Sequence, residues 1–145
     1  MIQLFTIGYT HKSAEKFFSL LSLNNIKNLI DIRLNNNSQF AGFTKKDDLG
    51  YFLKNISQIH YTYCPFLAPT KELLEAYRKK LIDWNEYVIQ FTALMKDRKI
   101  ENKIDLKILH MGCLLCSEEF ADKCHRRLAA EYLRDHFSEI SIIHI

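Results

Sequence analysis

The sequence predicts an α/β fold in which one mostly parallel central sheet of about five strands carries helices on both faces. Strand-like and helix-like segments alternate along the chain, and the two central strand candidates, residues 29–32 and 108–115, are almost wholly apolar. With only four Gly and two Pro there is no linker-like tract in the 145 residues. We therefore expect a single compact domain over residues 1–145.

The first half of the chain supplies three strands and two helices. Alternating or continuous apolar residues mark the strands, and apolar residues at i, i+3, i+4 and i+7 mark the helices. The predicted elements are a strand over residues 2–7, a helix from Ala14 that ends at Asn24, a strand over 27–32, a helix capped by Thr44, and a short strand over 60–63.

The second half supplies three helices and two strands. Asp83 and Asp122 can cap helices, because their side-chain oxygens accept free backbone N–H groups. The turn over residues 67–70 is expected to start a further helix. The predicted elements are a helix after Thr70, a helix after Asp83, a long apolar strand over 106–115, a helix over 122–137 and a last strand over 140–145.

Composition excludes several classes of protein. A formal net charge of +3 is only mildly basic, whereas dedicated nucleic-acid binders usually concentrate more positive charge on one face, and most basic clusters here lie near acids. The first residues do not resemble a secretion signal, and no apolar run reaches the roughly 18 residues that a membrane span needs. We expect a cytoplasmic protein without a membrane partner, whose cysteines are thiols: Cys64, Cys113, Cys116 and Cys124.

Polar and reactive residues follow three of the predicted strands. Ligands of parallel sheets bind at the carboxyl ends of the strands, so these residues should share one rim. The group consists of Gly8 and Tyr9 after the first strand, Asp31 and Arg33 at the end of the second, and Cys116, Glu118, Cys124, His125 and Arg126 after the fourth.

The triplet Cys124-His125-Arg126 is expected in the first turn of its helix if Asp122 is the cap. Free N–H groups and the helix dipole favour an anion there, Arg126 would bind it, and a cysteine would gain thiolate character. The structural alternative is a small buried Cys124 and an Arg126 that pairs with the carboxylate of Glu118 or Asp31.

A zinc site is the second use of these residues. Cys113 and Cys116 are three apart on a strand, so their side chains should point to opposite faces, which argues against a four-ligand structural site. We predict no metal there, although a smaller set of Cys116, Cys124 and His125 stays open. The sequence identifies no cofactor.

Asp31 and Arg33 share a face of the second strand, because residues i and i+2 do. They could face a ligand together, or they could form an ion pair that closes the edge of the sheet. Gly8 permits a sharp turn or a close approach, and Tyr9 could stack on a ring or simply pack.

These motifs, in this order, resemble domain-of-unknown-function family 488. The segments that carry the resemblance are Thr6-Ile7-Gly8-Tyr9-Thr10 with Ser13, Asp31-Ile32-Arg33, Ser38, Gly42-Phe43, Leu114-Leu115-Cys116-Ser117-Glu118 and Cys124-His125-Arg126. The resemblance implies a compact α/β domain of bacterial and archaeal type, adds Ser38 and Phe43 to the ligand-binding candidates, and implies no established activity. Asn35–Asn37 and Leu67–Thr70 depart from the family pattern, which has proline at the first position and a glycine pair at the second.

The leading hypothesis is an enzyme that acts on an anionic small molecule, phosphorylated or nucleotide-like. Its nucleophile would be Cys116 or Cys124. His125, Glu118 and Asp31 would serve as acid, base or orienting groups, and Arg33 and Arg126 would hold the anion. One alternative is a nucleic-acid-binding module in which loop lysines and Tyr9 or Phe43 contact the ligand, and another is a metal-stabilised interaction domain. The sequence leaves the oligomeric state open.

Overall fold

A computed structural model describes residues 1–37 and 42–145 and contains one five-stranded sheet. All its strand pairs are parallel, in the order β3-β2-β4-β1-β5, which confirms the predicted fold class. The strands are β1 Ile2–Gly8, β2 Asn28–Asp31, β3 His60–Tyr63, β4 Gly112–Cys116 and β5 Ile140–His144. The central strand β4 is thus flanked by β1 and β2.

Helices cover both faces of this sheet, as the alternating pattern predicts. They are α1 Ala14–Leu23, α2 Lys46–Phe52, α3 Lys71–Arg78, α4 Trp84–Arg98, α5 Leu106–Leu109 and α6 His125–His136. One core cluster lies between the sheet and α3 to α6, and the other lies between the sheet and α1 and α2. None of the helices in the two described ranges is long and apolar enough to cross a membrane.

The side chains of β4 alternate between the two core clusters. Leu114 packs on the side of α6, whereas Cys113 and Leu115 pack on the side of α1. This is the divergence of Cys113 and Cys116 that strand geometry predicts, since Cys116 lies beside His125 of α6. Cys113 is therefore remote from the groups around Cys116.

The predicted strand over 106–115 is wrong in its first half. Residues Leu106–Leu109 form the short helix α5, because the Asp105 carboxylate accepts the N–H of Lys107 at 2.9 Å and starts a turn. The continuous apolar run has no periodicity to separate a buried strand from a buried helix. Gly112 then lets β4 begin close to α5, since a Cβ there would lie 2.3 Å from the carbonyl oxygen of Ile108.

Of the three predicted helix caps, the one at Asp83 is confirmed and the other two are wrong. Helix α6 begins three residues later than expected, with Cys124 rather than Asp122 as its N-cap. Helix α2 is preceded by Lys45, while Thr44 is buried in a 3₁₀ turn over Gly42–Thr44. The carboxylate of Asp83 accepts an N–H group of α4 at 2.9 Å, as predicted, and the hydroxyl of Thr70 accepts one of α3 at 3.1 Å. These hydrogen bonds fix the N-terminal ends of α3 and α4, the two helices that line one side of the candidate site.

Candidate functional site

The carboxyl ends of three neighbouring strands meet at one rim. Gly8, the last residue of β1, is in register with Cys116, the last residue of β4, and Asp31 of β2 is in register with Leu115. Helix α6 starts at this rim and brings His125 against Cys116. The predicted convergence of residues from the first, second and fourth strands is therefore present.

Cys116 and His125 form a thiol–imidazole pair. The Sγ atom of Cys116 lies 3.4 Å from Nδ1 of His125, and Nε2 of His125 lies 2.7 Å from the carbonyl oxygen of Ile32. Since a carbonyl only accepts, Nε2 carries a proton, and Nδ1 is left to exchange one with the thiol. The ring also packs edge-on against Phe91, with 5.7 Å between ring centroids, which holds its orientation.

The surroundings of this pair favour a thiolate on Cys116. The neighbouring Cys124 thiol, whose sulfur lies within 4.8 Å of that of Cys116, holds the pKa of Cys116 well below its usual range, helped by the positive charge of His125 and the backbone N–H of Glu118. The same neighbourhood, with burial, raises the pKa of Cys124. Burial alone would lower the pKa of His125, but the charge of Cys116 and its hydrogen bond raise it. One negative charge is thus placed on Cys116, with Cys124 as a protonated neighbour.

Arg126 lies inside the fold and holds the loop after β4. Its side chain is 1% exposed and donates to the carbonyl oxygens of Glu118 and Glu119, and to Thr6 Oγ1 at 3.3 Å. The expected contact of Arg126 with a ligand, and its alternative ion pair with a carboxylate, are both replaced by these backbone contacts within the described residues. Its Nη1 lies 3.8 Å from the sulfur of Cys124, so its charge also favours a thiolate in the pair.

Gly8 is required at this rim for a steric reason. A Cβ at Gly8 would lie 1.6 Å from the carbonyl oxygen of Glu118 and 2.7 Å from Nη1 of Arg126. Two residues after Gly8, the N–H and the hydroxyl of Thr10 both donate to the carbonyl oxygen of Ser117, at 3.0 and 2.5 Å. The segment after Cys116 is therefore held in place by two parts of the chain, the residues at the end of β1 and the side chain of Arg126.

Asp31 and Arg33 form a buried, bidentate ion pair. Nε and Nη2 of Arg33 each lie 2.9 Å from an oxygen of Asp31, and Nη2 also donates to the carbonyl oxygen of Thr44 at 2.7 Å. The hydroxyl of Tyr61 donates to Asp31 at 2.5 Å. Nη1 of Arg33 is buried and has no hydrogen-bond partner among the described residues. These contacts fix the orientation of the Arg33 guanidinium.

A cleft of about 80 Å³ opens beside these groups. Arg33, Cys116, Cys124 and His125 line its floor, and α3 and α4 form an aromatic wall. Arg78 and Lys123 also line it, so that Arg33, Arg78 and Lys123 outnumber the carboxylate of Glu118 among the described lining residues. The residues of the aromatic wall are Tyr77, Trp84 and Tyr87.

Two sequence-predicted candidates within the described residues, Tyr9 and Phe43, do not line the cleft. Tyr9 packs under Arg33, with 5.6 Å from its ring centroid to the guanidinium carbon, and does not line the cleft. Phe43 packs on Phe17 and Phe18 of α1, in the second core cluster. Glu118 is exposed at the mouth of the cleft, and Ser38 lies outside the described residues.

Sequence reasoning misses the aromatic wall and Tyr61. The spacing of Tyr77, Trp84 and Tyr87 is typical of helix residues that face a core, and Tyr87 is indeed buried. A signal was nevertheless present, because Trp84 directly follows the capping residue Asp83, where a helix end reaches the surface. Tyr61 alternates with exposed neighbours on an edge strand and carries no pattern of its own.

Cys116, Cys124 and His125 could also hold a metal ion. Their two sulfur atoms and one ring nitrogen all lie within 4.8 Å of one another. Ligands of a tetrahedral zinc lie roughly 3.5–3.8 Å apart, which is close to this arrangement. A fourth ligand would have to come from the cleft, and the guanidinium of Arg126 beside Cys124 opposes a second positive charge. The cluster therefore fits a metal less well than it fits a thiolate.

Comparison with known proteins agrees with the motifs. The model of the family described as Domain of unknown function DUF488 matches residues 13–133, a span that includes Arg33, Cys116 and the Cys-His-Arg triplet. No curated protein and no solved structure matches the chain.

Proposed function

We propose that this chain, which belongs to the DUF488 family, is an enzyme that uses Cys116 as a nucleophile on an anionic small molecule bound in the cleft. The observation that carries the proposal is the 3.4 Å contact of Cys116 with His125 in a cleft also lined by Arg33, whose Nη1 has no partner in the described part of the chain. A nucleophile, a proton-exchanging group and an anion-binding donor are the minimal set for covalent catalysis.

The nucleophilic step uses the thiol–imidazole pair. The thiolate of Cys116 forms a bond to an electrophilic atom of the substrate, and the leaving group departs with its bonding electrons and takes the proton from Nδ1 of His125. The neutral imidazole then accepts a proton from water, and the resulting hydroxide releases Cys116 from the covalent intermediate. Glu118, at the mouth, is placed to assist proton transfer to solvent.

Arg33 is proposed to bind the anionic group of the substrate. Its contacts with Asp31 fix the guanidinium plane, so that little side-chain freedom is lost on binding, and Nη1 is the nitrogen without a partner in the described part of the chain. Arg78 and Lys123 add positive charge at the mouth and attract the same ligand. A planar ring against Trp84 would account for the aromatic wall, which makes a nucleotide-like molecule the best-fitting class.

The test compares two alkylating reagents on the folded protein. Iodoacetate carries the charge of the proposed substrate, and iodoacetamide has nearly the same shape without it. We expect Cys116 to react with both, and the ratio of the iodoacetate rate to the iodoacetamide rate to exceed that of the same cysteine in the urea-unfolded chain. Mass spectrometry of the tryptic peptide locates and times the modification.

The matched control removes the ion pair as a whole. The double variant Asp31→Asn with Arg33→Gln leaves no buried unpaired charge, and it should return the rate ratio to that of the unfolded chain while Cys116 stays reactive. A folded protein whose Cys116 resists both reagents, or a ratio unchanged by the double variant, contradicts the proposal.

A metal-stabilised domain is the second candidate, and the three convergent ligand atoms are what favours it. Elemental analysis of protein purified without chelators distinguishes the two. One equivalent of zinc, lost together with thermal stability when Cys124 is replaced by Ser, would favour the metal over the nucleophile.

A further inference from the structure

The nucleophilic step proposed above needs only one thiol, yet a second thiol lies next to the first. Cys124 lies beside Cys116, with both sulfur atoms and Nδ1 of His125 within 4.8 Å of one another. The chain's other cysteines are not part of this group: Cys113 packs on the opposite face of the sheet, and Cys64 follows β3 at the edge of the sheet. The nearness of the two sulfur atoms is therefore not explained by the nucleophilic step alone.

We propose that Cys116 and Cys124 are a redox-active pair that hydrogen peroxide, or an alkyl hydroperoxide of similar size, converts to a disulfide. The inference rests on the proposed function in one respect, since both use the accessible thiolate of Cys116. Closure of the disulfide would consume that thiolate and so stop the proposed reaction until a dithiol reductant restores it.

The first step forms a sulfenic acid. The thiolate of Cys116 attacks one oxygen of the peroxide, an S–O bond forms, and the O–O bond breaks. The departing hydroxide takes the proton of the His125 imidazolium and leaves as water. Cys116 lines the cleft, so a reagent as small as peroxide has a path to it although the residue is 3% exposed.

The second step uses Cys124. Its sulfur attacks that of Cys116, the S–S bond forms, and the S–O bond breaks as the second water leaves with the proton of Cys124. Together the two thiols lose two electrons and the peroxide gains them. The sulfur atoms must approach to about 2.05 Å, and Cys124 can approach because it is the N-cap of α6 and its side chain makes no capping hydrogen bond.

Two features of the fold favour this chemistry over further oxidation of Cys116. Cys116 ends β4 and Cys124 starts α6, so one loop separates two fixed elements that already place the sulfur atoms side by side. Arg126 holds that loop through the carbonyl oxygens of Glu118 and Glu119, and its charge lies 3.8 Å from the sulfur of Cys124. A resolving thiol at this distance should react faster than a second peroxide molecule.

The experiment treats the reduced, folded protein with hydrogen peroxide, blocks remaining thiols, and analyses tryptic peptides without reduction. Trypsin cuts after Lys123, so the expected product joins the peptide of residues 108–123 to the tripeptide of residues 124–126, with two hydrogen atoms lost. Because Cys113 is in the longer peptide, Cys113→Ala is run in parallel and should give the same product. Iodoacetamide labelling of Cys116 should fall by at least about tenfold after oxidation and recover with dithiothreitol.

Single variants assign the roles. Cys124→Ser should leave Cys116 as a sulfenic acid that reacts with dimedone, whereas Cys116→Ser should leave Cys124 unmodified and Cys64→Ala should change nothing. Absence of the cross-linked peptide in the unsubstituted protein, or a link to Cys113, overturns the redox proposal. If Cys116 is still alkylated in that case, the nucleophile proposal stands; if Cys116 resists both peroxide and iodoacetamide, both proposals fail.

Discussion

At the scale of single residues, Gly8 carries a steric requirement that connects β1 to the site. The Cβ of an alanine at this position would overlap the backbone of Glu118, and backbone atoms cannot turn aside as the end of a flexible side chain can. We expect Gly8→Ala to lower the free energy of unfolding by about 3 kcal/mol or more. Urea denaturation, followed by circular dichroism, measures this change.

Gly50 is the matched control for Gly8. It lies within α2, and a Cβ there would have no heavy atom within 4 Å. Gly50→Ala should raise the free energy of unfolding by about 0.5–1 kcal/mol, because alanine has the higher helix propensity. Equal effects of the two substitutions would show that the contact between Gly8 and Glu118 does not matter.

Substitution of Arg126 should lower the free energy of unfolding much more than substitution of its neighbour Arg127. Arg126→Met leaves the part-buried carbonyl oxygens of Glu118 and Glu119 without these donors, a loss of about 2–4 kcal/mol. Arg127 pairs with Glu131 at the half-exposed surface, so Arg127→Met should change stability by less than about 1 kcal/mol. Chemical denaturation of both variants measures the difference, and similar values would contradict the buried role of Arg126.

The pKa of Cys116 predicts its reactivity at low pH. Because the pKa is lowered by Cys124 and His125, the thiolate persists at pH values where an ordinary thiol, with a pKa of about 8.5, is protonated. The alkylation rate of Cys116 should therefore already be near its plateau at about pH 7. Cys64 is the internal control, because burial and the charge of Asp31 raise its pKa to about 11.

The rates follow from iodoacetamide time courses at several pH values. His125→Asn should shift the profile of Cys116 to higher pH, since the positive charge is lost. A rate for Cys116 that still rises steeply above about pH 8, as for a free thiol, would argue against the thiolate.

At the scale of elements, α4 positions both the aromatic wall and the ring of His125. Its first turn depends on the Asp83 carboxylate, which accepts the N–H of Glu86 at 2.9 Å. Asp83→Ala should lower the free energy of unfolding by about 1 kcal/mol, and Asp83→Ser should restore most of it. Asp97→Ala, at the other end of α4, should be neutral or slightly stabilising, because it removes a negative charge from the C-terminal turn. Thermal unfolding of the three variants compares them.

The elements also show what a sequence can and cannot predict here. Strands such as β1 and helices such as α4 follow from periodicity, and their alternation is enough to predict a parallel sheet with its site at the carboxyl ends. The run over 106–115 has no period, so its division into α5 and β4 depends on the cap at Asp105 and the contact of Gly112 with Ile108. These contacts depend on the three-dimensional structure, so the apolar pattern of the sequence does not reveal them.

The site itself divides in the same way. The pairing of Asp31 with Arg33 and the neighbourhood of Cys116 and His125 follow from strand ends and side-chain spacing. The hydrogen-bond partners of Arg126 could not be predicted in this way, because a long side chain can reach several carbonyl oxygens, and their positions depend on the path of the loop.

At the scale of the whole molecule, Trp84 provides a reporter for the cleft. It is the only tryptophan of the chain and lines the cleft beside Tyr77. A nucleoside monophosphate that binds there should quench its fluorescence and raise the melting temperature, by mass action, more than inorganic phosphate does. The double variant Asp31→Asn with Arg33→Gln should weaken this response.

Ionic strength then separates a small ligand in a cleft from a nucleic acid on a surface. Contacts with many phosphates make affinity fall by about 10³-fold or more between 50 and 200 mM salt. A single anionic group held by Arg33 should show a far weaker dependence. Strong binding of oligonucleotides with a steep salt dependence, and none of mononucleotides, would favour the nucleic-acid module over the enzyme.

The central place of β4 has one more consequence. Cys116 ends a strand that is bonded on both edges, with β1 on one side and β2 on the other, so fraying of the sheet cannot uncover its sulfur. The mouth of the cleft is then the sole route by which a reagent arrives while the described part of the chain stays folded. The reaction of Cys116 should therefore depend on the size of the reagent. Small reagents should modify Cys116 in the native protein, whereas a polymer-linked maleimide should react only after global unfolding, so that its rate reports the rate of unfolding.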